Sequence, residues 1–120
     1  MEIEIKKKTD IVVITVHEDI ALYNAPMLKK EGFDQFEAGA NELIIDLFDV
    51  SYIDSTGLGT LVAIHKKFSE NHGLMVVTNI SGTLRKVFEV TKLEEILCIT
   101  PNENEAQEKI LAHRKLNRGK

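Results

Sequence analysis

From Val50 to Leu61 the chain reads Val50-Ser51-Tyr52-Ile53-Asp54-Ser55-Thr56-Gly57-Leu58-Gly59-Thr60-Leu61, so a carboxylate and two hydroxyls stand directly before a pair of glycines. What such groups can do depends on the element that follows. Leu58, Leu61, Val62, His65 and Phe68 recur at helical spacing, with Lys66, Lys67 and Glu70 on the opposite side, which puts Ser55 and Thr56 at a helix N-terminus. The first N–H groups of a helix lack intrahelical acceptors and the dipole there is positive. An Asp, Ser or Thr therefore caps well, and a nearby anion is tolerated. Two readings are open: plain capping, or a hydroxyl that receives a phosphate and acts as a switch.

Catalytic chemistry is poorly served by the same residues. Asp54-Ser55-Thr56-Gly57 has one residue too many for the Asp-(Ser/Thr)-Gly of aspartic proteases, and no second copy supplies the paired carboxylate. Neither a Gly-x-Ser-x-Gly elbow nor an acid-histidine order accompanies Ser55. Gly57-Leu58-Gly59 lacks a third glycine at dinucleotide spacing, and no Gly-Lys-(Ser/Thr) follows. These two glycines read as tight-turn and close-packing residues. His17, His65, His72 and His113 form no metal constellation, and His65, on an apolar helix face, reads as a half-buried, hydrogen-bonded histidine. Neither a catalytic residue nor a metal or cofactor is expected.

The elements that must position Ser55 follow from periodicity. Residues 2 to 7 and 11 to 17 read as two strands in an antiparallel hairpin turning at Thr9-Asp10. Asn24 is placed to cap a helix with Pro26 in its first turn; Ala25, Leu28, Gly32, Phe36 and Gly39 form its stripe, and Gly39 closes it. Leu43 to Leu47 is the near-continuous apolar run of a strand covered on both faces. After the Ser55 helix come a strand at 74 to 78, a short helix from Ser81, a strand at 96 to 99, and a helix capped near Asn102, which with Glu105 resembles a capping box. Alternation of strands and helices after the hairpin calls for parallel crossovers. The expected class is α/β, with a mixed five-stranded sheet and about four helices.

Ile53 through Gly59 resembles, without a gap, the phosphorylation-site segment of the anti-sigma factor antagonists, the bacterial branch of the STAS domain family, whose core reads apolar-Asp-Ser-(Ser/Thr/Ala)-Gly-Leu-Gly. The hairpin, the Asn24-Ala25 helix start, the strands at Leu43 and Leu74, and Leu93 before a last strand-helix pair extend the resemblance over roughly residues 3 to 110. It implies a single STAS-like domain over residues 1–120, with a basic C-terminal tail at 111–120. It also implies that the unmodified chain binds an anti-sigma factor with serine kinase activity, freeing a sigma factor, and that phosphorylation of Ser55, with Thr56 as second choice, reverses this. The implied partner surface is Asp19, Ala21, Tyr23, Asn24, Asp54, Ser55, Thr56, Gly57 and Leu58. One departure stands out: family members that are kinase substrates commonly carry Gly-x-Leu-Asp after the second strand, where this chain has Glu18-Asp19-Ile20-Ala21. Ala21 replaces the aspartate, leaving Asp19 or Glu18 as substitutes. Tyr23 reads either as a partner anchor or as a staple half-buried against the first helix.

Composition sets the bounds around this reading. A length of 120 residues with 43% hydrophobic content accommodates one domain and one core. A formal net charge of −4, with basic residues clustered only at Lys6-Lys7-Lys8 and from Lys109 to Lys120, gives little footprint for nucleic acid. Lys6 to Lys8 read as a solvated strand end, and the basic tail as a frayed helix terminus with favourable charge. Glu2, Glu4 and Lys6 alternate with Ile3 and Ile5 rather than forming a secretory h-region, and no apolar stretch reaches membrane-spanning length. Cys98, the one cysteine, reads as a small buried hydrophobe. A cytoplasmic monomer or weak dimer with a protein partner is expected. Two other readings use the same elements: a non-switching STAS scaffold or regulatory subunit of a signalling assembly or transporter, and a small-ligand or nucleotide sensor at the helix N-terminus.

Overall fold

The computed structural model describes residues 1–117. A hairpin of β1 (Ile3–Lys8) and β2 (Ile11–Val16) opens the fold, followed by α1 (Ala25–Glu37), β3 (Glu42–Asp46), α2 (Ser55–Ser69) and β4 (Leu74–Thr78). Then come α3 (Gly82–Val90), a single 3-10 turn (Leu93–Glu95), β5 (Cys98–Thr100) and α4 (Glu103–Asn117). The strands lie in sequence order, β1 to β5; β1 pairs antiparallel with β2, and every later pair is parallel. Each parallel step needs a crossover, which α1, α2 and α3 supply. The expected α/β class, five-stranded mixed sheet and four helices are what the described residues form.

Both faces of the sheet are covered, which explains the apolar runs. Val12, Ile14, Leu43, Ile45, Met75 and Val77 pack with residues of α1, α2 and α3, whereas Ile11, Val13, Ile44 and Val76 pack with Ala106 and Ile110 of α4. Successive residues of a strand point to opposite faces, so β2 and β3 must be apolar at nearly every position.

Several boundaries differ from expectation, each for a local reason. Thr9 takes a left-handed conformation (φ 60) in a two-residue turn, so β1 runs to Lys8 and the pairing closes at Lys8–Ile11. β3 starts at Glu42 and stops at Asp46. The charged Glu42 is buried because the Arg114 guanidinium meets it at 2.7 Å, while Leu47, past the strand end, donates its N–H to the Thr78 carbonyl. β5 begins at Cys98 rather than at 96, since Lys92 turns left-handed (φ 62) and the N–H groups of Ile96 and Leu97 both return to the Leu93 carbonyl. Cys98 is half-buried on this edge strand, and burial raises its thiol pKa above the ordinary range.

The C-terminal segment is not frayed over its described length. Asn102 Oδ1 accepts from the Glu105 N–H at 2.9 Å and Asn102 Nδ2 donates to Glu105 at 3.2 Å, a capping box whose return bond runs between side chains. Residues 111 to 117 continue α4, and Arg114 ties it to Glu42 and Asp10, both at 2.7 Å, holding its guanidinium charged far beyond the usual range. Residues 118 to 120, the end of the expected basic tail, lie outside the described residues. Lys6 and Lys8 are likewise engaged, reaching Glu103 at 3.5 and 2.7 Å.

One polar tie fastens the hairpin to the loop before α2. His17 Nδ1 meets Asp49 at 2.6 Å and Nε2 meets Glu4 at 3.3 Å, so first Asp49 and then Glu4 raise the imidazole pKa above its ordinary 6.5. A raised folded pKa means that the protonated ring stabilises the fold below 6.5, and that this contribution fades as pH rises through the folded value. An NMR titration should place the His17 pKa above 6.5 in the native chain and lower in Asp49→Asn. Equal values in the two proteins would show that the tie does not form.

Candidate functional site

Ser55 is the first residue of α2, and its side chain is exposed. It stands there because β3 ends at the sheet's C-terminal edge and the chain crosses Leu47 to Ile53 before α2 descends. Asp54 is the N-cap, in extended conformation, and its Oδ1 accepts from the Gly57 N–H at 2.9 Å. Its second oxygen, Oδ2, accepts from the Leu22 N–H at 2.9 Å, across 32 residues of sequence. Capping is therefore Asp54's work, and the Ser55 hydroxyl makes no hydrogen bond among the described residues.

The loop after β2 and the loop before α2 are sewn together. Ile20 and Ile53 form a parallel bridge, with the Ile20 N–H donating to the Tyr52 carbonyl and the Asp54 N–H to the Ile20 carbonyl, both at 3.1 Å. Asp19 Oδ1 accepts from the N–H groups of Ser51 (2.8 Å) and Tyr52 (3.1 Å). Glu18 accepts from the Glu2 N–H (2.6 Å) and Asn24 Nδ2 (2.7 Å), which holds its carboxyl below the usual range. Both candidate substitutes for the missing acid at position 21 are thus spent on structure, and half-buried Ala21 leaves Asp54 as the carboxylate beside Ser55.

Asn24 occupies the N-cap position of α1 but does not cap it with its side chain. Pro26 removes one N–H from the first turn and the Met27 N–H is satisfied by the Asn24 carbonyl, which frees the side chain to face backward. Its Oδ1 accepts from the Ala21 N–H at 2.8 Å, and Nδ2 donates to Glu18 and to the Asp19 carbonyl. Asn24, Gly57 and Leu58, expected on the partner surface, are all buried. Tyr23 is 76% exposed, not half-buried against α1.

The two glycines differ. A Cβ on Gly57 would come within 2.6 Å of Ile53 Cγ1 and 2.8 Å of Ile20 Cγ2, so only glycine lets α2 start against the Ile20–Ile53 bridge. A Cβ on Gly59 would meet nothing within 4 Å, so the close-packing expected there does not occur. Gly59 instead borders an open groove of about 440 Å3 between α1 and α2, lined also by Pro26, Lys29, Thr56, Thr60 and Ala63. Gly57→Ala is expected to cost about 1–3 kcal/mol through overpacking. Chemical denaturation measures it, and an unchanged midpoint would mean that the bridge yields freely.

Sequence reasoning missed the exposed apolar side chains of these loops. Leu22 is 70% exposed, Phe48 74% and Tyr52 58%, all in the two joined loops. The available signal was that each falls outside any helix or strand period yet is large and apolar. His65 also departs from expectation: it is half-buried, but its Nδ1 has no hydrogen-bond partner among the described residues, and burial lowers the ring's pKa. Among the described residues no cluster of three or more His, Cys, Asp or Glu could hold a metal ion, and no helix is long and apolar enough to cross a membrane.

This arrangement presents the exposed Ser55 hydroxyl, without a hydrogen-bond partner among the described residues, at a positive helix start beside loops that expose apolar side chains. A family model for the STAS domain matches residues 2–106. The anti-sigma-B factor antagonist of Listeria monocytogenes is 36% identical over 107 residues, covering 88% of this chain and 93% of that protein. Its counterpart in Bacillus subtilis is 33% identical over 100 residues, covering 83% and 91%. Among solved structures, a candidate anti-sigma factor antagonist from Thermotoga maritima superposes with a TM-score of 0.86 at 29% identity, covering 90% of this chain and 93% of the other.

Proposed function

The chain belongs to the STAS domain family, among its anti-sigma factor antagonists, and on that ground we propose that unmodified protein binds an anti-sigma factor with serine kinase activity and so releases a sigma factor. It works by binding, not as an enzyme. Phosphorylation of Ser55 by that same partner reverses the association. The γ-phosphoryl group of ATP passes to Ser55 Oγ, ADP leaves, and the hydroxyl proton is lost. The observation that carries this reading is the free, exposed Ser55 hydroxyl at the first position of α2, beside a capping Asp54.

The energetics favour a local switch. A phosphate adds about −1.5 to −2 charges beside Asp54, which any interface covering the loop must desolvate or repel. The α2 dipole offsets part of this, by about 0.3–1 kcal/mol at an exposed site, so the fold should survive. Thr56, half-buried on the groove side, is the less accessible hydroxyl. The protein would act in the cytoplasm as a monomer or weak dimer.

Affinity capture from source-organism lysate with native, Ser55→Ala and Ser55→Asp baits tests the proposal. Recovery of a kinase-like anti-sigma factor by the first two baits but not the third is expected. One specific observation favours a second reading: Ala21 stands in the acidic turn, and Asp19 and Glu18 are engaged elsewhere. A non-switching scaffold would recover the same partners with all three baits.

A further inference from the structure

Asp54 carries two bonds with different destinations. Oδ1 caps α2 through the Gly57 N–H, and Oδ2 holds the Leu22 N–H, both at 2.9 Å. Leu22 and Tyr23, 70% and 76% exposed, form the tip of a turn whose feet are fixed elsewhere. The Ala21 N–H is held by Asn24 Oδ1, the Asn24 and Ala25 N–H groups bond the Ala21 carbonyl, and Asn24 itself is 2% exposed. The Asp54 Oδ2 contact apart, nothing among the described hydrogen bonds restrains the Leu22 N–H.

We infer that Asp54 is a positioning residue that couples the phosphorylation state of Ser55 to the placement of Leu22 and Tyr23 on the partner surface. The inference rests on Ser55 being the modified hydroxyl. A phosphoryl group on residue 55 brings three strong acceptor oxygens to the same helix start that Asp54 serves. Two anions then compete for few donors and repel each other. The bond to Gly57 spans three residues and is reinforced by the helix dipole, whereas the bond to Leu22 reaches an exposed tip whose N–H can turn to water. The Leu22 bond therefore gives way first. Ile20 stays in place, because its backbone bonds to Tyr52 and Asp54 do not involve the carboxylate. The consequence is confined to the two-residue tip, and an apolar and an aromatic contact are lost to the partner together with the added charge.

The test follows the Leu22 amide by NMR hydrogen exchange in native protein and in protein carrying phosphoserine at position 55, introduced during translation. The same pair is prepared on an Asp54→Ser background. Serine caps a helix as well as aspartate does but offers one short oxygen, so it retains the cap and releases Leu22. Should Asp54→Ser not fold, Asp54→Asn, which keeps a single acceptor, replaces it. Exchange at Leu22 should speed up about tenfold or more on phosphorylation, the scale of losing a hydrogen bond to a charged group, while the buried Ile14 amide is unchanged. In Asp54→Ser, Leu22 should already exchange fast and phosphorylation should add nothing. A Leu22 amide that phosphorylation leaves unmoved, or that moves equally without the carboxylate, overturns the coupling. If Leu22 stays fixed while phosphoserine abolishes anti-sigma binding, the switch stands without the relay; if Leu22 is released and binding persists, the relay stands and the switch fails.

Discussion

Ser55→Asp is expected to weaken binding to the anti-sigma partner at least about 30-fold, since placing a charge where an interface offers no counter-charge costs about 2 kcal/mol or more. The same substitution should leave the fold intact. Ser55 is exposed and makes no hydrogen bond among the described residues, and an acidic residue in the first turn of α2 suits the helix dipole by about 0.3–1 kcal/mol. Melting followed by circular dichroism should therefore match or slightly exceed the native value, while isothermal calorimetry records the loss of affinity. Ser55→Ala should change neither. A grossly unfolded Ser55→Asp would mean that the hydroxyl is structural, and unaltered affinity would mean that the partner does not cover it.

Phe68→Ala should show the converse pattern. Phe68 is completely buried near the end of α2 and meets Phe36 of α1 edge-on, with ring centroids 5.4 Å apart at 77°. Removing a buried phenyl ring costs about 3–5 kcal/mol, combining lost transfer energy with the cavity left behind. At this chain length that lowers the melting temperature by about 12–20 °C. Phe68 lies thirteen residues beyond Ser55, about 20 Å along the helix, so affinity measured well below the melting point should be unchanged. Affinity falling in step with stability would show that the α1–α2 packing and the switch surface are one unit.

How far the sequence reveals such a fold depends on the range of the interaction. β2, β3 and β4 are legible because burial on both faces demands an apolar residue at almost every position. Asp54 and Ser81 are legible as caps because a cap and its N–H partner lie three residues apart. The hidden features are long-range polar contacts. Asp54 to Leu22, Asp19 to Ser51, and Arg114 to Glu42 span 32, 32 and 72 residues, and nothing in local spacing announces them. Asn24 shows the same limit: its type and place before Pro26 suggest a cap, but the polar groups of Glu18, Asp19 and Ala21 compete for its amide and win. The left-handed Lys92, which delays β5, also escapes, because that conformation ordinarily signals itself with glycine or asparagine.

The site divides along the same line. The hydroxyl, its cap and Gly57 are readable from seven consecutive residues, whereas the joining of the loops that carry exposed Leu22, Phe48 and Tyr52 rests on a bridge between residues far apart in sequence.

The most direct test incubates the chain with the captured anti-sigma factor and magnesium ATP, maps modified peptides by mass spectrometry, and follows the complex by size-exclusion chromatography. A single phosphoryl group on Ser55, accumulating as the complex dissociates and absent from Ser55→Ala, is the expected result. Modification at another residue, no modification, or a complex that persists with Ser55 fully phosphorylated would contradict the switch.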